Sequence, residues 1–376
     1  MFLQATVALF AAATVPTGTI IDSVPCEADP QQGYALYLPS TYSAERAWPV
    51  IFAFDPRGRG RMPVERYQAA AEKFGYIVAG SNNSRNGSWD VSMKAAEAMT
   101  ADVSRRFKLE PKRVYAAGMS GGARVAMGLA LGSNLFAGVV ASSAGYHDAK
   151  PRKTVPFVVF GTAGTEDFNY HEMRELDRAL TSPHRVAIFE GGHVWLSSEL
   201  AVEAVEWIEL QAMASGRTPR NSDWIEGTFN ARLAAAEALS GAPAVVALDA
   251  IAGDFGELKN VTAVTAKAAA LRKDKAVRET FKREQAEEQS EQRKIGEILG
   301  LERQLENRDT RPQALSQLRD EWKRMGAESA GAVDSSGRRI ARRIARSLAM
   351  TASERTVDPE YRKVVAEYAP KGRPGN

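Results

Sequence analysis

The sequence predicts an α/β fold with a mostly parallel sheet, followed by an all-helical region. Between residues 33 and 212, short β-rich runs alternate with helical patterns, as in chains whose parallel strands are joined by crossover helices. Residues 50–54 are apolar at every position, which is typical of a strand buried on both faces. After about residue 214 this alternation stops, and the residues that predominate favour helices.

Each predicted element has its own local signal. Strands are predicted from runs rich in β-branched and aromatic residues at 34–38, 50–54, 76–79, 113–117, 137–141, 155–160 and 185–189. Pro39 ends the first of these strands, and Pro111 marks a break before the fourth. Helices are predicted at residues 64–74, 93–107 and 200–213, directly after residue 122 and from about residue 170.

The length of the chain favours two domains behind an N-terminal segment. At 376 residues it is long for a single compact domain. We expect residues 1–20 to be a signal peptide or a disordered terminus, and residues 21–215 to form the sheet domain. Residues 216–376 would form a helical domain after a linker at 216–220, and a helical-repeat arrangement is an alternative interpretation without a full repeat period to support it.

The N-terminal segment has the character of an export signal. Residues 2–15 carry no charge, and Ala11-Ala12-Ala13 would serve as a cleavage site, although no basic residue precedes the run. The run is too short to span a bilayer as a helix. We therefore expect a periplasmic or secreted protein without stable membrane insertion after processing. The alternative is a buried first strand in a cytoplasmic protein.

Charge and cysteine content exclude some classes of function. The 49 basic and 46 acidic side chains give a net charge of only +3, so no general attraction to nucleic acid or to an anionic membrane is expected. Cys26 is the single cysteine, so no internal disulfide can form. We expect neither a metal nor an organic cofactor.

The pentapeptide GMSGG around Ser120 is the strongest motif. It lies between a predicted strand and a predicted helix, and its glycines leave room for a sharp turn. A G-x-S-x-G segment in that context predicts an exposed nucleophilic serine. The alternative is a tight turn without chemistry that holds an anion at the helix N-terminus.

A serine nucleophile needs a base, and four histidines are available. His193 follows the last predicted strand and two glycines, which suits a base at the sheet edge. His184 opens a strand at its wrong end, His171 lies within a helical pattern and His147 precedes the candidate acids. His193 is therefore the predicted base.

The acid that orients this base should lie in the loop after the strand at 155–160. Asp167 is the predicted acid and Glu166 its direct rival, since one of the two carboxylates could instead cap the next helix. No acid directly follows the strand, where the sequence is GTAG.

The order Ser120, Asp167, His193 is the one that α/β-hydrolases use. Over about residues 33–212 the chain resembles that superfamily. The segment GGHVW around His193 is similar to the Gly-His-x-Trp segment of feruloyl esterases, acetylxylan esterases and polyhydroxybutyrate depolymerases, and GTED, ending at Asp167, resembles their acid loop. The resemblance implies an α/β-hydrolase catalytic domain that cleaves carboxylic esters, such as feruloyl or acetyl esters, through an acyl-enzyme.

An acyl-transfer site also needs N–H donors for the oxyanion. We expect the amide of Gly121 to be one donor and the amide of Arg57 to be the other. Pro56 has no N–H to give, and Asp55 would repel an oxyanion unless it points away, to Arg57 or Arg85.

The connection at residues 145–155 is too short for a lid domain, which favours an open cleft. Asn83 and Trp89 lie in a polar loop that could line a substrate groove or could satisfy only its own backbone. Tyr146 and Trp195 are candidates for stacking on an aromatic or sugar ring, with simple packing as the alternative.

The helical region carries an arginine-rich run at residues 338–346. We interpret it as a solvated helix face rather than a nucleic-acid or membrane site. The expected partners are a small-molecule or polysaccharide-linked ester and, for the helical domain, another protein. A serine peptidase on the same fold is one alternative function, and a non-catalytic binding protein acting through the helical domain is another.

Overall fold

The computed structural model describes residues 15–148, 150, 152–355 and 358–370. Most of the predicted signal segment, residues 1–14, lies outside these ranges. Within them, the chain folds into one sheet flanked by helices and a C-terminal group of helices.

The sheet has eight strands in the order β1-β2-β4-β3-β5-β6-β7-β8. The strands are β1 (Ile20–Pro25), β2 (Gly33–Tyr37), β3 (Trp48–Phe54), β4 (Ile77–Ser81), β5 (Leu109–Met119), β6 (Gly138–Ser142), β7 (Val158–Gly164) and β8 (His184–Phe189). β2 pairs antiparallel with both of its neighbours, and all other pairs are parallel. The parallel strands therefore end at a common edge, where the loops that carry the site meet.

In the part of the chain that the structure describes, five helices accompany the strands and seven more follow. The first group comprises α1 (Arg61–Phe74), α2 (Trp89–Arg106), α3 (Gly121–Gly132), α4 (Tyr170–Ala179) and α5 (Ser198–Ala214). The second group, called here the helical region, comprises α6 (Ser222–Glu237), α7 (Gly241–Phe255), α8 (Thr262–Leu271), α9 (Lys275–Gln304), α10 (Arg311–Ser329), α11 (Ser336–Arg355) and α12 (Pro359–Tyr368).

The sheet buries both of its faces. Alternation along β3 sends Phe52 and Phe54 to one face, where α2, α3 and α4 pack, and sends Ile51 to the other, where α1 and α5 pack. This double burial explains why residues 50–54 are apolar without interruption. The predicted mostly parallel α/β sheet and the helical region after it are confirmed.

Two details of the sheet differ from the prediction. β1 was not predicted, and it begins within the segment assigned to the terminus. The break expected at Pro111 is wrong, because β5 already begins at Leu109 and continues through the proline. Its pairing with β3 is irregular between Trp48 and Val50, opposite this end of β5, and such an irregularity tolerates a residue without an N–H.

The helical region packs around two cores of its own. One core joins α6, α7 and α8 to the end of α5, where Leu210 and Met213 contribute. The other joins α9 to α12, with Trp322 and Tyr361 buried at its centre. Across the described ranges, no helix is long and apolar enough to cross a membrane. The residues described between β6 and β7 form neither helix nor strand, in line with the expected absence of a lid.

Candidate active site

Ser120 forms the turn between β5 and α3 in a backbone conformation that side-chain-bearing residues rarely adopt. Its φ is 54° and its ψ is −122°, and such strain typically marks a functional position. The Ser120 amide donates to the Ser142 carbonyl over 2.8 Å, which docks the turn on β6. A β-carbon at Gly122 would overlap the Phe54 carbonyl, so glycine is required there.

A strained serine between a central parallel strand and the next helix, in a sheet of this order, decides the fold. The chain has the α/β-hydrolase fold. In a hydrolase fold the serine side chain stands above the carboxyl edge of the sheet, where the loops after β3, β6, β7 and β8 can reach it.

Asp167 and His193 form a buried pair at that edge. The Nδ1 atom of His193 lies 2.8 Å from Oδ1 of Asp167, and the Asn169 amide donates to the same oxygen over 2.8 Å. Both side chains of the pair are buried. Phe168 stacks on the imidazole, with ring centroids 3.9 Å apart. A carboxylate on Nδ1 fixes the tautomer that leaves Nε2 free to accept a proton.

Ser143, which sequence reasoning missed, ties the acid loop to the histidine loop. Its hydroxyl donates to the Val194 carbonyl over 3.3 Å, and its own carbonyl accepts from Asn169 Nδ2 over 2.7 Å. Ser143 also has a positive φ of 60°. Ser143 directly follows Ser142, whose carbonyl accepts from the Ser120 amide. A short hydrogen-bonded path therefore connects the Ser120 turn to Val194, the residue after His193.

The predicted nucleophile and base are both described, and no hydrogen bond joins Ser120 Oγ to His193 Nε2 among the described residues. Such bonds are often long before substrate binds and tighten in the substrate complex. The edge therefore carries an imidazole oriented by a carboxylate and a serine in a strained turn.

Asp55 organises the loop after β3 and is fully buried. It accepts from the Arg57 amide over 2.9 Å and from Nε and Nη2 of Arg59 over 3.0 and 3.1 Å. It also accepts from the Trp195 indole over 2.8 Å. The carboxylate is thus engaged by these donors, and its charged partner is Arg59 and neither Arg57 nor Arg85. The amide of Arg57, the expected second oxyanion donor, is turned to Asp55.

Two of the four expected substrate contacts have structural partners instead. The Asn83 carboxamide accepts from the Gly33 amide and donates to the Gln31 carbonyl, so it is turned towards the β1–β2 connection. The indole of Trp195 is held by Asp55 and is buried. Neither side chain is free to bind substrate in this arrangement.

The other two expected contacts differ in exposure. Trp89 is 40% exposed and stacks on His147 with ring centroids 5.2 Å apart, so its outer face is available to a ligand. Tyr146 is buried, and its ring lies under the Arg152 guanidinium, 4.6 Å away. Trp89 is therefore the better candidate for a wall of the cleft.

Glu166, the rival acid, faces the helical region instead of the histidine. Its carboxylate accepts from Arg342 at 2.8 and 2.9 Å and from Arg338 at 3.2 Å. Arg346 donates to the Glu166 carbonyl over 3.4 Å, and Arg343 donates to the Thr165 carbonyl over 2.6 Å. All four arginines belong to α11 and donate hydrogen bonds to the loop that carries Asp167.

The interpretation of residues 338–346 as a solvated face is therefore wrong. The Arg338, Arg342, Arg343 and Arg346 side chains are between 10% and 25% exposed. The sequence pattern shows that the arginines share one side of a helix. It does not show that the Glu166 carboxylate, from a distant loop, lies opposite them. Because α11 contacts the acid loop directly, the helical region forms part of the surroundings of the active site.

A second ion cluster anchors α11 behind this contact. Glu291 of α9 is buried and is bonded to Arg343, with Nε of the arginine 3.0 Å from Oε1. His171 Nε2 lies 2.9 Å from the same oxygen. Burial raises the pKa of the Glu291 carboxyl, but the neighbouring His171 and Arg343 outweigh burial, and the net pKa lies below its usual value.

Over the same described ranges, no group of three or more His, Cys, Asp or Glu side chains is placed to hold a metal ion.

No family model matches the chain, and no curated protein matches it. Solved structures resemble part of it. An esterase from Pyrobaculum calidifontis has 12% identity and a TM-score of 0.42 over 52% of this chain and 87% of its own. A ferulic acid esterase has 16% identity and a TM-score of 0.38 over 50% and 95%. A puromycin hydrolase has 15% identity and a TM-score of 0.40 over 51% of this chain but only 38% of its own. These likenesses carry no argument about activity, and the assignment of the fold rests on the topology and the serine turn.

Proposed function

We propose that the protein is a serine hydrolase that cleaves carboxylic esters through an acyl-enzyme. The observation that carries this proposal is the buried Asp167–His193 pair at the edge where Ser120 is held in a strained turn. A hydroxyl needs a base that is itself oriented by a third group, and the Asp167–His193 pair supports assigning those two roles to these side chains.

In the proposed reaction, Ser120 Oγ attacks the ester carbonyl while His193 Nε2 takes the hydroxyl proton. Asp167 holds the Nδ1–H of the resulting imidazolium and balances its charge. When the tetrahedral intermediate collapses, the bond to the leaving alcohol breaks and the imidazolium protonates that alcohol. A water molecule, deprotonated by His193, then releases the acid and regenerates Ser120.

The substrates proposed are esters with small or aromatic acyl groups, including feruloyl and acetyl esters. The lack of helix or strand in the described residues between β6 and β7 supports an open cleft. The exposed face of Trp89 offers a surface on which an aromatic or sugar ring can stack.

The test is a panel of p-nitrophenyl acetate, p-nitrophenyl butyrate, methyl ferulate and the matching amides, assayed with wild type and Ser120→Ala. The proposal predicts ester hydrolysis that Ser120→Ala abolishes while the variant keeps the wild-type melting temperature. Amide cleavage at comparable kcat/KM would indicate a peptidase on this fold. Ester hydrolysis that survives in Ser120→Ala would overturn the proposal.

A further inference from the structure

The loop between β4 and α2 places a side chain directly on the serine turn. A β-carbon at Gly121 would overlap Oδ1 of Asn86 and would lie 2.9 Å from its Cγ. The Asn86 carboxamide therefore rests on the residue whose amide is the expected first oxyanion donor. The Asn86 carboxamide makes no hydrogen bond within the described ranges.

The backbone of Arg85 and Asn86 is held by the loop after β3 and by α2. Its amide donates to the Pro56 carbonyl over 2.9 Å, and the preceding Arg85 forms an isolated antiparallel bridge with Arg57. The Ser92 hydroxyl donates to the Arg85 carbonyl over 2.9 Å. The backbone that carries the carboxamide is thus held beside the turn before any substrate arrives, so that only the side chain has to turn to present a donor.

The loop after β3, which would ordinarily give the second oxyanion donor, has no amide to spare. Pro56 lacks an N–H, and the amides of Arg57 and Arg59 donate to Oδ1 of Asp55. The Gly58 amide donates to the Asp55 carbonyl, and the Gly60 amide donates to Oδ1 of Asn82. Since every N–H from residue 56 to residue 60 is absent or engaged, a second donor has to come from elsewhere.

We propose that Nδ2 of Asn86 is this second donor, an inference that rests on the proposed serine hydrolase function. When Ser120 Oγ bonds to the carbonyl carbon, the C=O electron pair moves to the oxygen. The oxyanion then accepts from the Gly121 amide and from Asn86 Nδ2. A half-turn about Cβ–Cγ exchanges the two ends of the carboxamide, so the nitrogen can occupy the place against Gly121.

Asn86→Ala and Asn86→Asp test the proposal against Asn83→Ala as a matched control in the same loop. The Asn83 carboxamide is bonded to Gly33 and Gln31, so its loss perturbs the loop without removing a group from Gly121. Removal of one oxyanion donor typically lowers kcat by about 10²–10³-fold. We expect a fall of that size in both Asn86 variants with KM nearly unchanged, because the bond forms only in the transition state. Asn86→Asp should be at least as impaired, because a carboxylate cannot donate.

Four outcomes have distinct meanings. A large loss of kcat in the Asn86 variants, with wild-type melting temperatures and an active Asn83→Ala, supports the proposal. Wild-type kcat in Asn86→Ala, while Ser120→Ala is inactive, overturns this inference and leaves the proposed function standing. A rise in KM at constant kcat also overturns it, because Asn86 would then bind only the ground state. A wild-type protein that neither hydrolyses esters nor reacts with a fluorophosphonate overturns the proposed function itself.

Discussion

Replacing Asp167 and Glu166 by their amides, one at a time, distinguishes the residue that orients the base from the residue that anchors the loop. In Asp167→Asn the side chain keeps its size, and Oδ1 can still accept from His193 and from the Asn169 amide. The new NH₂ group occupies the position of Oδ2, which is buried and has no hydrogen-bond partner among the described residues. The variant therefore loses the negative charge that balances the imidazolium and gains a buried donor without an acceptor.

The size of the effect follows from these contacts. A hydrogen bond to a charged group is worth about 1.5–3 kcal/mol, against about 0.5–1.5 kcal/mol for a neutral pair. The loss of charge alone is thus worth about 1–1.5 kcal/mol and should lower kcat about 5- to 13-fold, since about 1.4 kcal/mol corresponds to one factor of ten. If the amide turns its NH₂ towards Nδ1, the imidazole is held in the wrong tautomer, and the loss approaches about 10⁴-fold, as in serine proteases. We therefore expect kcat/KM for p-nitrophenyl butyrate to fall by about 10–10⁴-fold, with the larger loss if the amide turns.

Glu166→Gln is the matched control, because Glu166 contacts arginines of α11 and not His193. Its kcat/KM should stay within about tenfold of wild type, while the free energy of unfolding falls by about 2 kcal/mol. That figure is smaller than the 3–5 kcal/mol typical of fully buried pairs, since the Glu166 side chain is 13% exposed. An inactive Glu166→Gln beside an active Asp167→Asn would refute the assignment of the acid.

Three further predictions concern stability and reactivity. Gly122→Ala should lower the denaturant midpoint by the equivalent of about 2 kcal/mol or more, because its β-carbon would meet the backbone carbonyl of Phe54; a wild-type midpoint would contradict this. Burial raises the pKa of the Cys26 thiol to about 11, so a thiol reagent at pH 8 should modify it only after unfolding, and rapid modification of the native protein would be inconsistent with burial. The pKa of Glu291 is lower in the folded state than in the unfolded chain, so its contribution to stability is present above the unfolded value of 4.5 and is lost as the pH falls through the folded value. The melting temperatures of wild type and Glu291→Gln should therefore converge below about pH 4.5, and a constant difference down to pH 3 would argue against the cluster.

The sheet was predictable because its signals are local. A strand buried on both faces must be apolar throughout, and the run at 50–54 shows this directly. β1 escaped prediction because it lies at the edge of the sheet, where its burial pattern is mixed and its pairing with β2 shifts register between Ile21 and Val24. An edge strand of this kind is identified from the strand with which it pairs more than from its own sequence.

The placement of Ser120, Asp167 and His193 at one sheet edge was predictable because each follows a strand that ends there. What surrounds them was not, because those contacts join distant parts of the chain. The partner of the Asp55 carboxylate depends on where Trp195 is brought by β8. The partner of Glu166 depends on how α11 docks, and the sequence separation between Glu166 and Arg342 is 176 residues. Local patterns specify which side chains share an edge or a helix face, whereas tertiary packing decides what each of them meets.

The most direct test of the central claim is the site of covalent modification by a fluorophosphonate probe. Wild-type protein, treated with the probe and digested, should carry one adduct, on the peptide that contains Ser120, and lose ester hydrolysis in step with labelling. Ser120→Ala should remain folded, take up no probe and hydrolyse no ester. Labelling that maps to another residue, or a folded wild-type protein that is not labelled, would contradict the assignment of Ser120 as the nucleophile.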